Sequence, residues 1–288
     1  MPDRLDVANL RLCVAAEPLT AAAFAPFGDV IENPRPDVHP WHYAAAFGSS
    51  SSSSLSSSSL RSPPPFQAVS ANQGSAIKYQ HVSALADRYA SLHAPSGRPS
   101  APVANMFVCA ARTLLSSEVK GKIAGTGTGK TTPTPPPSGG LFPVTILERH
   151  PFTTQTFVPL PGHNSREAAR YLVVVAPTVA EDGGNDRTST TGPPDVRGLR
   201  AFVARGDQAV TYGAGTWHAP MAALGTPGTA LPFFVFQYAN GVDDEDCQEI
   251  VLDSGAHDAQ GTSAVTVRVP PETGSSIRTE HSPLQTKL

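Results

Sequence analysis

A chain of 288 residues with a formal net charge of −3 lacks the basic surface that a nucleic-acid partner requires. Hydrophobic residues make up 40% of it, and its 29 Pro and 24 Gly are unevenly spread, so an ordered core of about 200 residues is expected. Cys13, Cys109 and Cys247 are odd in number and scattered, which excludes a disulfide scaffold and suits a reducing compartment.

No apolar signal core follows Asp3 and Arg4, and the run Tyr171 to Ala176 is far too short to span a bilayer. A soluble, cytoplasmic protein is the expectation, the terminal Thr-Lys-Leu being a near miss for a peroxisomal address. The first strand signal is RLCVAAEP. Thr20 then caps a short helix over Ala21 to Phe24, with Pro26 limiting it and Gly28 stopping it. Residues 48–65 are mostly serine and proline and cannot bury enough apolar surface to order themselves. Strands are expected at 76–81, 105–112, 144–149, 155–160, 171–176, 199–205, 208–212 and 233–238, with 265–269 as an edge strand. Residues 84–92 are open to a short helix or an extended loop. Two further low-complexity insertions fall at 121–140 and 181–194. The sequence therefore predicts one mainly β domain over 1–253, interrupted by three insertions, and a polar, mobile tail over 254–288. Many short strands with few helices point to a sandwich or barrel.

Chemistry concentrates in two places. In Glu148 to Leu160 a carboxylate, a guanidinium and an imidazole stand side by side. Strand parity puts Glu148 and His150 on one face and Arg149 on the other, and Gln155 with Phe157 on one face of the next strand. Pro151 cannot donate to a ladder, and a bend there would turn Arg149 into the same cavity. The second place is Gly206 to Pro220, where glycines around Ala214 permit a sharp turn before Trp217 and His218.

Other signals are weaker. Gly125 to Thr132, GTGTGKTT, lacks the first glycine of a phosphate loop, and Pro133 blocks a following helix. None of the nine histidines has metal-ligand spacing, so no metal ligand is assigned; a divalent metal ion is possible where His150 and His218 meet Gln155 or Glu148 in space. Asp243 to Asp246 reads as a solvated turn whose carboxylates make Cys247 a poor nucleophile.

The phrases Leu19-Thr20, Phe27 to Ile31, Leu147 to Pro151 with Thr154-Gln155 and Phe157 to Pro159, Leu199 to Phe202, and Tyr212 with Trp217 to Pro220 resemble ureidoglycolate lyases, fungal members most closely. Asn240-Gly241 and Asp246-Cys247 extend the likeness over most of residues 17–253. The resemblance implies a cupin-like double-stranded β-helix, usually a homodimer, that splits (S)-ureidoglycolate into glyoxylate and urea in allantoin breakdown. The first cupin motif departs, with one His where two are usual and Gln155 near the position of a metal-binding Glu. Gly213 stands where some relatives carry a histidine.

Such a carbinolamide breaks when its hydroxyl loses a proton and its urea nitrogen gains one, with a cation for the carboxylate. His150 or His218 would be the base, Tyr212 would hold or protonate the leaving nitrogen, Arg149 would grip the carboxylate, and Gln155 would bind the ureido group. Glu148 and Trp217 complete the substrate-binding set. The alternatives are a hydrolase releasing ammonia, a non-catalytic cupin that binds a small carboxylic acid, and an inactive relative.

Overall fold

The computed structural model describes residues 2–47, 65–115, 139–162, 169–179, 192–255 and 263–271. Most of the three insertions, all of GTGTGKTT and most of the tail lie outside the described residues. The described insertion ends are tied to the fold: Gly140 opens a strand, and the Pro193 carbonyl accepts from the Val179 N–H at 2.9 Å.

In chain order the strands are β1 (Asp3–Asp6), β2 (Leu12–Ala15), β3 (Glu17–Pro18), β4 (Gly28–Ile31), β5 (Val69–Ala71), β6 (Ala76–Lys78), β7 (Ala101–Ala110), β8 (Gly140–Pro143) and β9 (Ile146–Arg149). They continue with β10 (Gln155–Pro159), β11 (Arg170–Ala176), β12 (Arg200–Arg205), β13 (Ala209–Tyr212), β14 (Trp217–His218), β15 (Ala222–Leu224), β16 (Ala230–Ala239), β17 (Gln248–Asp253) and β18 (Val265–Val269). Helices are few and short: α1 (Ala21–Phe24), α2 (Tyr43–Phe47) and α3 (Asp243–Asp246), with 3₁₀ turns between strands. Thr20 caps α1 as expected, its Oγ1 accepting from the Ala23 N–H at 3.2 Å. Residues 84–92 form turns and not a helix. Among the described residues no helix is long and apolar enough to cross a membrane.

Three sheets stack in layers. The central sheet runs β1-β17-β9-β14-β11-β12-β3 with β15 beside β11; a second runs β4-β13-β10-β16-β7; the third is β2-β18-β8. The cupin-like, mainly β expectation holds, in the form of stacked open sheets. Strand β18 forms as expected but lies between β2 and β8, not at an edge.

The central sheet is buried on both faces, which is why Tyr171 to Ala176 reads as unbroken apolar sequence. Leu172, Val174 and Ala176 point to a core shared with Phe142, Val265 and Val267 of the third sheet. Tyr171, Val173 and Val175 point the other way, to a core with Phe157, Val210, Phe233 and Val235 of the second sheet. That second core is aromatic: Phe24 meets Phe202 edge-on at 5.8 Å, and Phe157 meets Phe233 likewise at 5.9 Å. Each such buried ring contributes about 1.5–3 kcal/mol. Gly28 must be glycine, because at φ +149 a Cβ would collide with the Thr211 carbonyl across the β4–β13 ladder.

Candidate active site

The site lies at the end of the aromatic core, between the central and second sheets. β9 stops at Arg149, just before Pro151, as its missing N–H requires. The chain then turns into β10, whose Gln155 lies opposite Tyr212 in the antiparallel ladder and so on the same face. After Tyr212 the chain reverses through Gly215, at φ 80, whose N–H donates to the His150 carbonyl at 2.8 Å. The reversal delivers β14, with His218 paired to Glu148. The rings of His150 and His218 are thereby 5.5 Å apart, and Tyr212 stacks on His218 at 4.0 Å with 12° between the planes.

The hydrogen bonds fix which ring nitrogens are left free. His150 Nδ1 is 2.6 Å from the Asp246 carbonyl oxygen, and His218 Nδ1 is 2.9 Å from that of Thr216. A carbonyl only accepts, so each Nδ1 carries a hydrogen, and each ring turns its Nε2 inward. Both Nε2 atoms are buried without a hydrogen-bond partner, as are the Tyr212 hydroxyl and Gln155 Oε1. Four such atoms in one place are a demand for a ligand, since an unpaired buried polar group costs about 1–3 kcal/mol.

Charge is arranged around them. His218 Nε2 lies 3.4 Å from Glu148 Oε1, which is an ion pair when the imidazole is protonated. Burial pushes the Glu148 carboxyl up, but the nearby His218 imidazole outweighs it and holds the group below its ordinary value. His150 is depressed to about 4, by burial first and then by His218, so it is neutral near pH 7. Burial, then the Glu148 charge, raises the Tyr212 hydroxyl and keeps it protonated. The ligand atoms of Glu148, His150 and His218 all lie within 4.8 Å of one another, so two lone pairs and a carboxylate fit a divalent ion.

Parity decides where the other expected residues lie. Arg149 and Trp217 point away from the histidines, to the opposite face of the central sheet; no bend turns Arg149 inward. The guanidinium sits 4.4 Å from the Trp217 ring centroid, donates to Gln248 Oε1 at 2.8 Å and to the Gly192 carbonyl at 3.0 Å, and lines a separate cleft of about 1010 Å³. Gln155 stands beside Tyr212 in the ladder, its Nε2 donating to Gln237 Oε1 at 2.7 Å. The structure thus brings Glu148, His150, Gln155, Tyr212 and His218 together and leaves Arg149 and Trp217 behind the sheet.

The acidic run is not simply a solvated turn. Asp243 and Asp244 are exposed, but Glu245 is buried and takes hydrogen bonds from the Ser96 N–H and hydroxyl and from Asn240 Nδ2. Asp246, missed in the sequence, holds His150; a short run of acids carries no signal that a main-chain carbonyl will be used. The Cys247 thiol is pushed up to about 12 by burial and then by Glu148, Glu249 and Asp246, in keeping with a poor nucleophile.

Comparison with known proteins points the same way. The family model described as ureidoglycolate lyase matches residues 11–258. A ureidoglycolate lyase of Schizosaccharomyces pombe is 34% identical over 82% of this chain and 89% of its own length. One of Saccharomyces cerevisiae is 39% identical over 54% of this chain and 62% of its own, and one of Burkholderia mallei is 29% identical over 74% and 76%.

Proposed function

Because the chain belongs to the ureidoglycolate lyase family, we propose that it splits (S)-ureidoglycolate into glyoxylate and urea, a carbon–nitrogen lyase of allantoin catabolism. The observation that carries this reading from family to chemistry is the set of four unpartnered buried atoms on His150, His218, Tyr212 and Gln155. The substrate offers what they lack: a hydroxyl proton for a lone pair, a ureido nitrogen for a phenol, and amide hydrogens for a carbonyl oxygen.

His150 Nε2 takes the hydroxyl proton, the freed electron pair forms the aldehyde C=O, and the C–N bond breaks. The proton then passes to the departing urea nitrogen, which the Tyr212 hydroxyl holds by donating to it. His218 and Glu148, 3.4 Å apart, flank the reacting oxygen, and Gln155 Oε1 accepts from the ureido N–H groups.

A second reading is favoured by the placement of Arg149, which brings no cation to the histidines for the substrate carboxylate. A divalent ion held by Glu148, His150 and His218 would supply that charge and polarise the hydroxyl. Tyr212 and Gln155 would keep their roles toward the ureido group.

The chain is further proposed to be a cytoplasmic homodimer. The cytoplasm fits three free cysteines. The homodimer is supported by β7, an edge strand of ten uncharged residues paired with the equally uncharged β16, which exposes Met106 and Val108.

A proton-NMR time course of purified protein with racemic ureidoglycolate, with and without a chelator and against a no-enzyme control, tests the reading. Fast loss of half the racemate with urea and glyoxylate appearing is expected, and the chelator arm separates the two forms of the mechanism. Ammonia in place of urea would make it a hydrolase. Decay at the control rate, even with divalent metal restored, would leave a binding module or an inactive relative.

A further inference from the structure

His150 depends on a contact outside its own sheet. The Asp246 carbonyl that fixes its Nδ1–H belongs to the last residue of α3, a four-residue helix with no side-chain cap. What holds that carbonyl is the Asp246 carboxylate, which accepts from the Tyr89 hydroxyl at 2.6 Å and from the Asn240 and Gly241 N–H groups at 2.8 Å each. Tyr89 comes from a strap, residues 83–98, laid across the second sheet. The Ala86 N–H donates to Thr154 Oγ1 at 2.9 Å, and the Arg88 N–H to the Phe152 carbonyl at 2.7 Å. Only 2% of Tyr89 is exposed, and its ring packs on Phe152 at 5.4 Å. It thus braces His150 from two sides, through the chain at Phe152 and through the Asp246 carbonyl. His218 has no such dependence, since its Nδ1 bonds to Thr216 two residues away.

We propose that Tyr89 and Asp246 are positioning residues for His150: through the Asp246 carbonyl they select the Nδ1–H tautomer and turn Nε2 toward the site. This rests on the reading of His150 as a site residue and extends the site to a strap that carries none of the expected chemistry. Partners that orient a functional histidine through its second nitrogen typically matter about ten- to one-hundred-fold in activity or metal affinity.

The test is a nitrogen–proton NMR correlation of the full chain, metal-free and ¹⁵N-labelled at histidine, comparing wild type with Tyr89→Phe and Asp246→Asn. Tyr89→Phe keeps the ring against Phe152 and removes only the hydroxyl, so the fold is retained. His150 is expected in the Nδ1–H tautomer in wild type and in a mixture of tautomers in both variants, while His218 stays unchanged in all three. An unchanged His150 in both variants would overturn the proposal, as would His150 and His218 changing together, which is general loosening. The spectra involve no substrate, so they stand even if the lyase reading fails. If that reading holds, Tyr89→Phe also lowers kcat by about tenfold.

Discussion

Arg149 and His150 are consecutive in the chain, yet they open on opposite faces of one sheet. The imidazole joins His218 and Tyr212, while the guanidinium lies over Trp217 and binds Gln248 and Gly192. Burial depresses Arg149 to about 10, so it remains a cation at neutral pH. Arg149→Met is therefore expected to act on stability, leaving two acceptors unpaired at a cost of roughly 2–3 kcal/mol. KM for ureidoglycolate should stay within about twofold, the mark of a residue that makes no binding contact. Urea unfolding and steady-state kinetics check the two halves, and a large rise in KM would put the guanidinium on the substrate after all.

Tyr212 poses the opposite case. Its ring carries the stack on His218 and the edge contact with Phe157, but its hydroxyl is buried with no partner. Tyr212→Phe keeps the packing and removes an unpaired polar atom, so the thermal midpoint should hold or rise. The turnover rate should fall by about 10²-fold or more, the scale of a lost proton-handling group. Scanning calorimetry beside the kinetics tests the pairing of these effects; a drop in both would make the hydroxyl structural.

The contrast between these residues shows what the sequence could carry. Strand parity alone separates Glu148 and His150 from Arg149, and it pairs Gln155 with Phe157, because side chains alternate strictly in a ladder. The bend at Pro151 was a matter of tertiary path, which parity does not determine, and the chain turns without reorienting Arg149. Trp217 next to His218 follows the same alternation and ends in the other core. Tyr89 and Asp246 were illegible for a different reason: they act through a hydroxyl contact across 157 residues of sequence and a main-chain carbonyl contact across 96, and neither has a local pattern. The layered arrangement was legible only as short strands, since the position of β18 between β2 and β8 is fixed by pairing with the chain's first strands.

His150 and Glu245 act on the stability in separate pH windows. His150 is depressed from 6.5 to about 4 in the fold, so between those values the unfolded chain binds more protons. Its contribution is full above 6.5 and is lost as pH falls toward 4. Glu245 adds a lower limb: burial raises its carboxyl, but donors from Asn240 and Ser96 outweigh this and hold it below 4.5, so its contribution disappears as pH falls through the folded value. Urea midpoints measured in chelator from pH 8 to 3 should decline in both windows. His150→Gln should flatten the upper window, and Glu245→Gln should make the lower one shallower, the depressed Glu148 carboxyl keeping its own share of it.

The last prediction concerns association. Among the described residues β7 is paired only with β16, and its ten residues carry no charge; Met106 is 59% and Val108 is 68% exposed. Exposed edge strands of monomers are ordinarily blunted by charges, lysine above all, which keeps their open N–H and C=O groups from pairing. A second β7 related by a two-fold axis would satisfy those groups and cover the same patch on both copies, since such an interface is isologous. Light scattering of the purified chain is expected to give a dimer mass. Val108→Lys places a charge on that surface without touching Glu148, His150, Tyr212 or His218. It should yield a monomer that keeps its affinity for ureidoglycolate. A variant that remains dimeric would move the interface to another surface, and a monomeric wild type would remove it.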